Sequence, residues 1–167
     1  MTYDVRPQHM GSWTFLFREG TPKGRLAADV RLGGIFDEGS IRVGEIPFEL
    51  DRDGISRAYR LRFEGRTLAL AEPEGPLSGG YDLRVEAAVL SRNVPIGERV
   101  WLEWVPDSFS GRAFDLRDGG VLVGRMERTA RLFRHFSLSL DDDVPLAIGA
   151  FCMALALARL RRQSRSG

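Results

Sequence analysis

Between Val144 and Ala158 the chain carries no charge and no strongly polar side chain, whereas charges interrupt almost every other apolar run. A helix that is apolar on all sides must be wrapped on every side, by protein or by lipid. Fifteen residues at helical rise span about 22 Å, and a bilayer core calls for about 20 residues. Six of the positions from Val144 to Ala158 are Ala or Gly. Such residues pack closely against protein but contribute little to membrane insertion. Asp141, Asp142 and Asp143 precede the run and complement a helix N-terminus, while Arg159, Arg161 and Arg162 follow it and complement the C-terminus. Pro145 suits the first turn, where no internal donor is needed. The run therefore predicts a buried helix over about 144–161, with Leu146, Ile148, Phe151, Met153, Leu155 and Leu157 as its core side chains. The alternative is a tail anchor over 144–160, with Arg159 snorkelling to the interface.

The residues ahead of this helix must supply its wrapping. From Trp13 to Leu140 the chain reads as short β-rich or alternating runs separated by Gly, Pro and Asp turns. Tyr59, Leu61 and Phe63 alternate with Arg60 and Arg62; Tyr81, Leu83 and Val85 alternate with Asp82 and Arg84. The runs 13–17, 26–32, 40–43, 46–50, 59–63, 67–71, 81–90, 100–105, 113–116, 120–124, 129–133 and 136–140 make about a dozen strands. The spacing is that of a sandwich or barrel. The predicted fold is mainly β: a closed barrel of roughly twelve strands around the C-terminal helix, occupying 13–162. Residues 1–12 are expected to be flexible and 163–167 disordered. Asp51-Arg52-Asp53-Gly54 reads as a hairpin turn in which Gly54 takes a positive φ. Phe48-Glu49-Leu50-Asp51-Arg52-Asp53-Gly54 echoes Phe114-Asp115-Leu116-Arg117-Asp118-Gly119. The echo fits either two similar halves of a barrel or chance.

This order resembles the tubby C-terminal-like group, which includes the LURP-one-related proteins and the phospholipid scramblases. The resemblance rests on Phe136-Ser137-Leu138-Ser139-Leu140 running through the Asp triplet into the apolar helix, and on Phe48-Glu49-Leu50 and Leu61 to Ala69 as hairpin segments. It covers Trp13 to about Leu160. It implies a twelve-stranded barrel on a central helix and a theme of binding. The Pro-rich arm and Cys-rich segment of scramblases are missing, so lipid scrambling does not carry over. No basic cluster matches the phosphoinositide site of tubby.

Charge narrows the function classes. The net charge is +1, so no global field favours nucleic acid. The basic residues are nearly all Arg, with one Lys, Lys23. Cys152, the one cysteine, excludes an intramolecular disulfide and a Cys-rich zinc site. Met1 to Ser12 is polar, and a cytoplasmic location is expected.

No catalytic signature emerges. His9 and His135 are separated by most of the chain, and each reads as a surface histidine. Asp141–Asp143 suits helix capping better than a cation site. Gly119-Gly120-Val121-Leu122-Val123-Gly124 lacks the Lys-Ser/Thr of a phosphate loop and reads as a hairpin. Trp101 and Trp104 have opposite parity, so one faces the core and the other the outside. Arg125, Arg128, Arg131 and Arg134 recur every three residues. They are the candidate contact for an anion or anionic lipid, although on strands they alternate sides. No catalytic residue, cofactor or metal site is expected. The expected function is a non-enzymatic binding module for anionic lipid or a protein partner; an enzyme using a polar pocket at a barrel end is the third reading.

Overall fold

The computed structural model describes residues 1–34, 38–75, 78–86, 89, 98–107, 112–130 and 133–165. Among them are twelve strands and one α-helix. The strands are β1 (Thr2–Pro7), β2 (Thr14–Glu19), β3 (Leu26–Gly33), β4 (Glu38–Val43), β5 (Ile46–Arg52), β6 (Tyr59–Phe63), β7 (Arg66–Pro73), β8 (Tyr81–Glu86), β9 (Arg99–Pro106), β10 (Ala113–Asp118), β11 (Val121–Arg128) and β12 (Phe136–Leu140). The helix α1 runs over Leu146–Arg165. Each strand pairs antiparallel with its chain neighbours, and β12 pairs back onto β1, closing the barrel. Closure removes both sheet edges.

Alternation explains the wall. Inward residues such as Val5, Phe15, Phe17, Val30, Ile41, Leu61, Leu83, Trp104 and Phe136 are buried in one core. Their neighbours point out and pair across strands. Arg42 donates to Asp29 on β3 at 2.7 Å, Arg62 to Asp51 on β5 at 3.3 Å, and Arg84 to Glu72 on β7 at 3.0 Å. The barrel exterior is thus a lattice of cross-strand guanidinium–carboxylate pairs.

Inside lies α1. Every residue from Ala147 to Ala158 is buried, which requires neighbours on all sides of the helix. Small residues let it fit: a Cβ on Gly149 would run into the Leu140 side chain. No described helix is long and apolar enough to cross a membrane. The 144–160 tail anchor is therefore replaced by an enclosed core helix. Ile148, Phe151, Met153, Leu155 and Leu157 are fully buried, as expected, and Leu146 is half-buried.

Several boundaries differ from the sequence reading. Residues 1–12 do not form a flexible segment: Thr2–Pro7 is β1, with Tyr3 and Val5 inward, and it pairs with both β12 and β2. Two inward residues in a polar stretch give too short an alternation to stand out in sequence. Conversely, Thr129, Ala130 and Phe133 lie outside strands, and Arg131 and Leu132 fall outside the described residues. The described part of the expected strand at 129–133 therefore belongs to the β11–β12 connection. The helix starts two residues later than expected and continues through Gln163, Ser164 and Arg165. It begins from Pro145, whose carbonyl accepts from Ile148 and Gly149 at 3.0 and 3.2 Å. Among the Asp triplet, the Asp141 carbonyl accepts from Val144 at 3.0 Å, so a backbone turn leads into the helix.

The two echoing segments end β5 and β10. The β5–β6 and β10–β11 connections lie at opposite ends of the barrel, because an odd number of strand reversals separates them. The echo does not mark equivalent halves. Gly54 does not take a positive φ; Arg57 does, at 60°.

Candidate functional site

Successive reversals put the β1–β2, β5–β6, β7–β8 and β11–β12 connections at one end of the barrel, and this is the end where α1 emerges. There a cavity of about 810 Å³ opens between β5, β6, β7, β8 and the last turns of α1. Arg52, Arg57, Tyr59, Tyr81, Arg159 and Arg162 line it, with Pro73, Gly75, Gly79, Gly80 and Gln163. Among the described residues, the walls contain four guanidinium groups and no carboxylate.

Local structure fixes each arginine. Arg52 is the last residue of β5, and its guanidinium sits 5.6 Å from the centre of the Tyr59 ring. Its Nε is buried with no hydrogen-bond partner. Arg57 stands on the β5–β6 connection, which Asp53 organises. The Asp53 carboxylate accepts from the Ile55 and Ser56 amides at 2.8 and 3.2 Å, and the Asp53 carbonyl accepts from the Arg57 amide at 3.0 Å. Those two amides, Ile55 first, hold the Asp53 carboxyl below its ordinary pKa. The loop ends with Arg57 in the left-handed region, a conformation that side chains other than glycine adopt only when the surroundings impose it.

The helix brings the other two. Arg159 Nη1 donates to the Gly79 carbonyl at 3.4 Å, and its guanidinium lies 5.6 Å from the Phe114 ring centre. Gly79 has φ 68°, and a Cβ there would collide with the Arg159 guanidinium. Arg162 Nη1 donates to Tyr59 Oη at 2.7 Å and Nη2 to Tyr81 Oη at 3.4 Å. The two tyrosine rings meet edge to face at 6.1 Å. Burial works against the charge on Arg162, but the tyrosine oxygens outweigh it, and its pKa is raised.

Arg52, Arg57 and Arg159 have no ion pair with any described carboxylate. On the barrel exterior, by contrast, Arg42, Arg62, Arg66, Arg84 and Arg125 are each matched by a carboxylate on a neighbouring strand. The acid in the β7–β8 connection is Glu74, whose carboxylate lies against Gly80: a Cβ on Gly80 would lie 2.7 Å from Glu74 Oε2. Burial, then the charge of Asp82, raises the Glu74 pKa. Like charges gathered without counterions repel one another, and a ligand anion relieves that repulsion.

The arginines singled out in the sequence lie elsewhere. Arg125 on β11 is saturated by Asp115, Asp107 and Glu127 at 2.6, 2.9 and 2.8 Å. Arg128 Nε donates to the Ala130 and Phe133 carbonyls at 3.1 and 3.4 Å. Arg134 stacks over Trp13 at 4.5 Å and Phe15 at 5.5 Å, and burial lowers its pKa. Arg131 lies outside the described residues. No common partner joins the three that are described. His135 stacks on Phe133 at 5.4 Å, and burial, then Arg6, lowers its pKa. Trp104 is buried and stacked on Phe114 at 5.3 Å, while Trp101 is 59% exposed, as their parity requires.

Sequence reasoning missed the mouth. Arg159 and Arg162 were visible only as complements to the helix dipole, and Arg52 only as a turn residue. Tyr59 and Tyr81 both follow turn signals and start alternating strands, which in a meander marks one barrel end; that was the available signal. No family model and no curated protein matches this sequence.

Proposed function

We propose that this protein is a binding module without catalytic chemistry, and that it captures an anionic ligand at the arginine-lined mouth. One observation carries the reading: Arg52, Arg57 and Arg159 converge on a cavity whose described walls hold no carboxylate. Guanidinium groups offer several donors in a fixed fork and suit oxyanions. The remaining walls supply hydroxyls, glycine backbone and a glutamine, which position a ligand. An anionic lipid headgroup and an acidic partner protein are both ligands of this kind.

Thermal unfolding with sodium sulfate tests the reading against sodium chloride at matched ionic strength. An anion at ten times its dissociation constant stabilises the folded chain by about 1.4 kcal/mol. For a domain of this size that is a rise in Tm of roughly 3–5 °C. The rise should shrink in Arg57→Gln and Arg159→Gln. Equal effects of sulfate and chloride in the wild type would remove the proposal.

A further inference from the structure

The mouth also constrains what kind of anion it takes. Resting on the anion-binding reading, we infer that its ligand is a phosphomonoester: a phosphate dianion on Arg52, Arg57 and Arg159, joined to an organic body that occupies the rest of the cavity. A carboxylate carries one charge and two oxygens, and a single guanidinium fork satisfies it. Here three guanidiniums without a carboxylate partner approach one cavity from three elements: the end of β5, the β5–β6 connection and the last turns of α1. A phosphate ester offers close to two charges at neutral pH and three terminal oxygens, one for each direction of approach.

The volume supplies the organic body. About 810 Å³ is far more than one phosphate fills, and it lies within the range of sites that enclose an organic ligand, roughly 300–1,000 Å³.

The phosphate could be free in solution or presented by a bilayer. Ile55, at the tip of the loop that carries Arg57, is 96% exposed. An apolar tip beside a basic mouth would enter a membrane surface when the mouth meets a lipid headgroup. It would make no difference to a soluble ligand.

The experiment is isothermal titration of the full chain with sulfate, benzoate and phenyl phosphate. It is paired with sedimentation on phosphatidylcholine vesicles with and without phosphatidic acid. Phenyl phosphate should bind at least about tenfold more tightly than benzoate, and its affinity should rise as pH increases through about 6, where the ester takes its second charge. Arg52→Gln should abolish that preference. Arg52→Lys, which keeps the charge and loses the fork, should weaken it while the fold is retained. If the source is lipid, phosphatidic acid vesicles bind, Ile55→Asp releases them, and Ile55→Asp leaves soluble phenyl phosphate binding unchanged. If the source is soluble, phenyl phosphate binds and the vesicles do not. Sulfate binding with no preference for either phosphate probe over benzoate would overturn this inference and leave the anion-binding reading intact. Binding of none of the probes would overturn both.

Discussion

Leu155 tests whether α1 is the core of the barrel. It is fully buried, in the middle of a run of buried residues from Ala147 to Ala158. Leu155→Ala removes three carbon atoms, and at about 0.8 kcal/mol per buried methylene the lost transfer energy is roughly 2.4 kcal/mol. The closed wall limits collapse, so a cavity remains. At about 24 cal/mol per Å³, a residual void of about 50 Å³ adds roughly 1.2 kcal/mol. The expected destabilisation is therefore about 3–4 kcal/mol. That is a large part of the total stability of an ordinary domain, about 5–15 kcal/mol. Urea denaturation followed by tryptophan fluorescence reads it. Trp104 lies in the core, so unfolding of the barrel changes its surroundings. With a slope near 2 kcal/mol per molar, the midpoint should fall by about 1.5–2 M with the slope unchanged. Gln163→Ala, on the exposed end of the same helix, should change stability by no more than about 0.5 kcal/mol. A loss below about 1 kcal/mol for Leu155→Ala would refute an enclosed helix.

Other outcomes follow from the same contacts. Gly149→Ala gains about 1 kcal/mol in helix propensity, yet its Cβ meets the buried Leu140 side chain. Overpacking of about 1–3 kcal/mol should leave it net destabilised in urea melts, and Leu140→Ala in the same chain should recover part of the loss. Arg125→Met leaves buried Asp115 with Arg117 as its remaining guanidinium at 3.0 Å; discounted for the exposure of Arg125, a cost of about 1–2 kcal/mol is expected in chemical denaturation. Burial raises the Cys152 thiol far above its ordinary value. It should resist a thiol reagent in the native state and react only as the chain unfolds. Asp53 has a lowered pKa, so the support it gives to the β5–β6 loop is present above its unfolded pKa and lost as pH falls through the lowered folded value. Amide exchange at Ile55 and Ser56 should lose protection in acid before that of β6 does.

The architecture was largely legible because its two signals are local. Strict alternation at Tyr59–Phe63 and Tyr81–Val85 marks walls with one buried face. An uncharged run after those walls marks what they enclose. The expected count of about twelve strands agrees with the structure for a mixed reason. A strand assigned to 129–133 stood in for β1, which the polar composition of residues 1–12 concealed. β1 is a strand because β2 and β12 each leave an edge that needs pairing, and that need arises only once the barrel has formed. The site was much less legible. Spacing drew attention to Arg125, Arg128, Arg131 and Arg134, but spacing does not reveal which carboxylates lie across the strand. Cross-strand register gives Arg125 to Asp115 and sets Arg52 opposite Tyr59.

By itself, the sequence determined that this chain must build an all-β wall around an apolar helix, since alternation and hydrophobic continuity depend only on neighbouring residues. Tertiary structure decided the rest. Closure made a strand of Thr2–Pro7 and fixed the register that pairs the exterior charges. The direction of α1 through the barrel carried Arg159 and Arg162 to the end where Arg52 and Arg57 emerge. Residues about a hundred positions apart meet there because a meander reverses at every strand and the helix crosses its interior once. The meeting point is a property of the closed barrel and of no local segment.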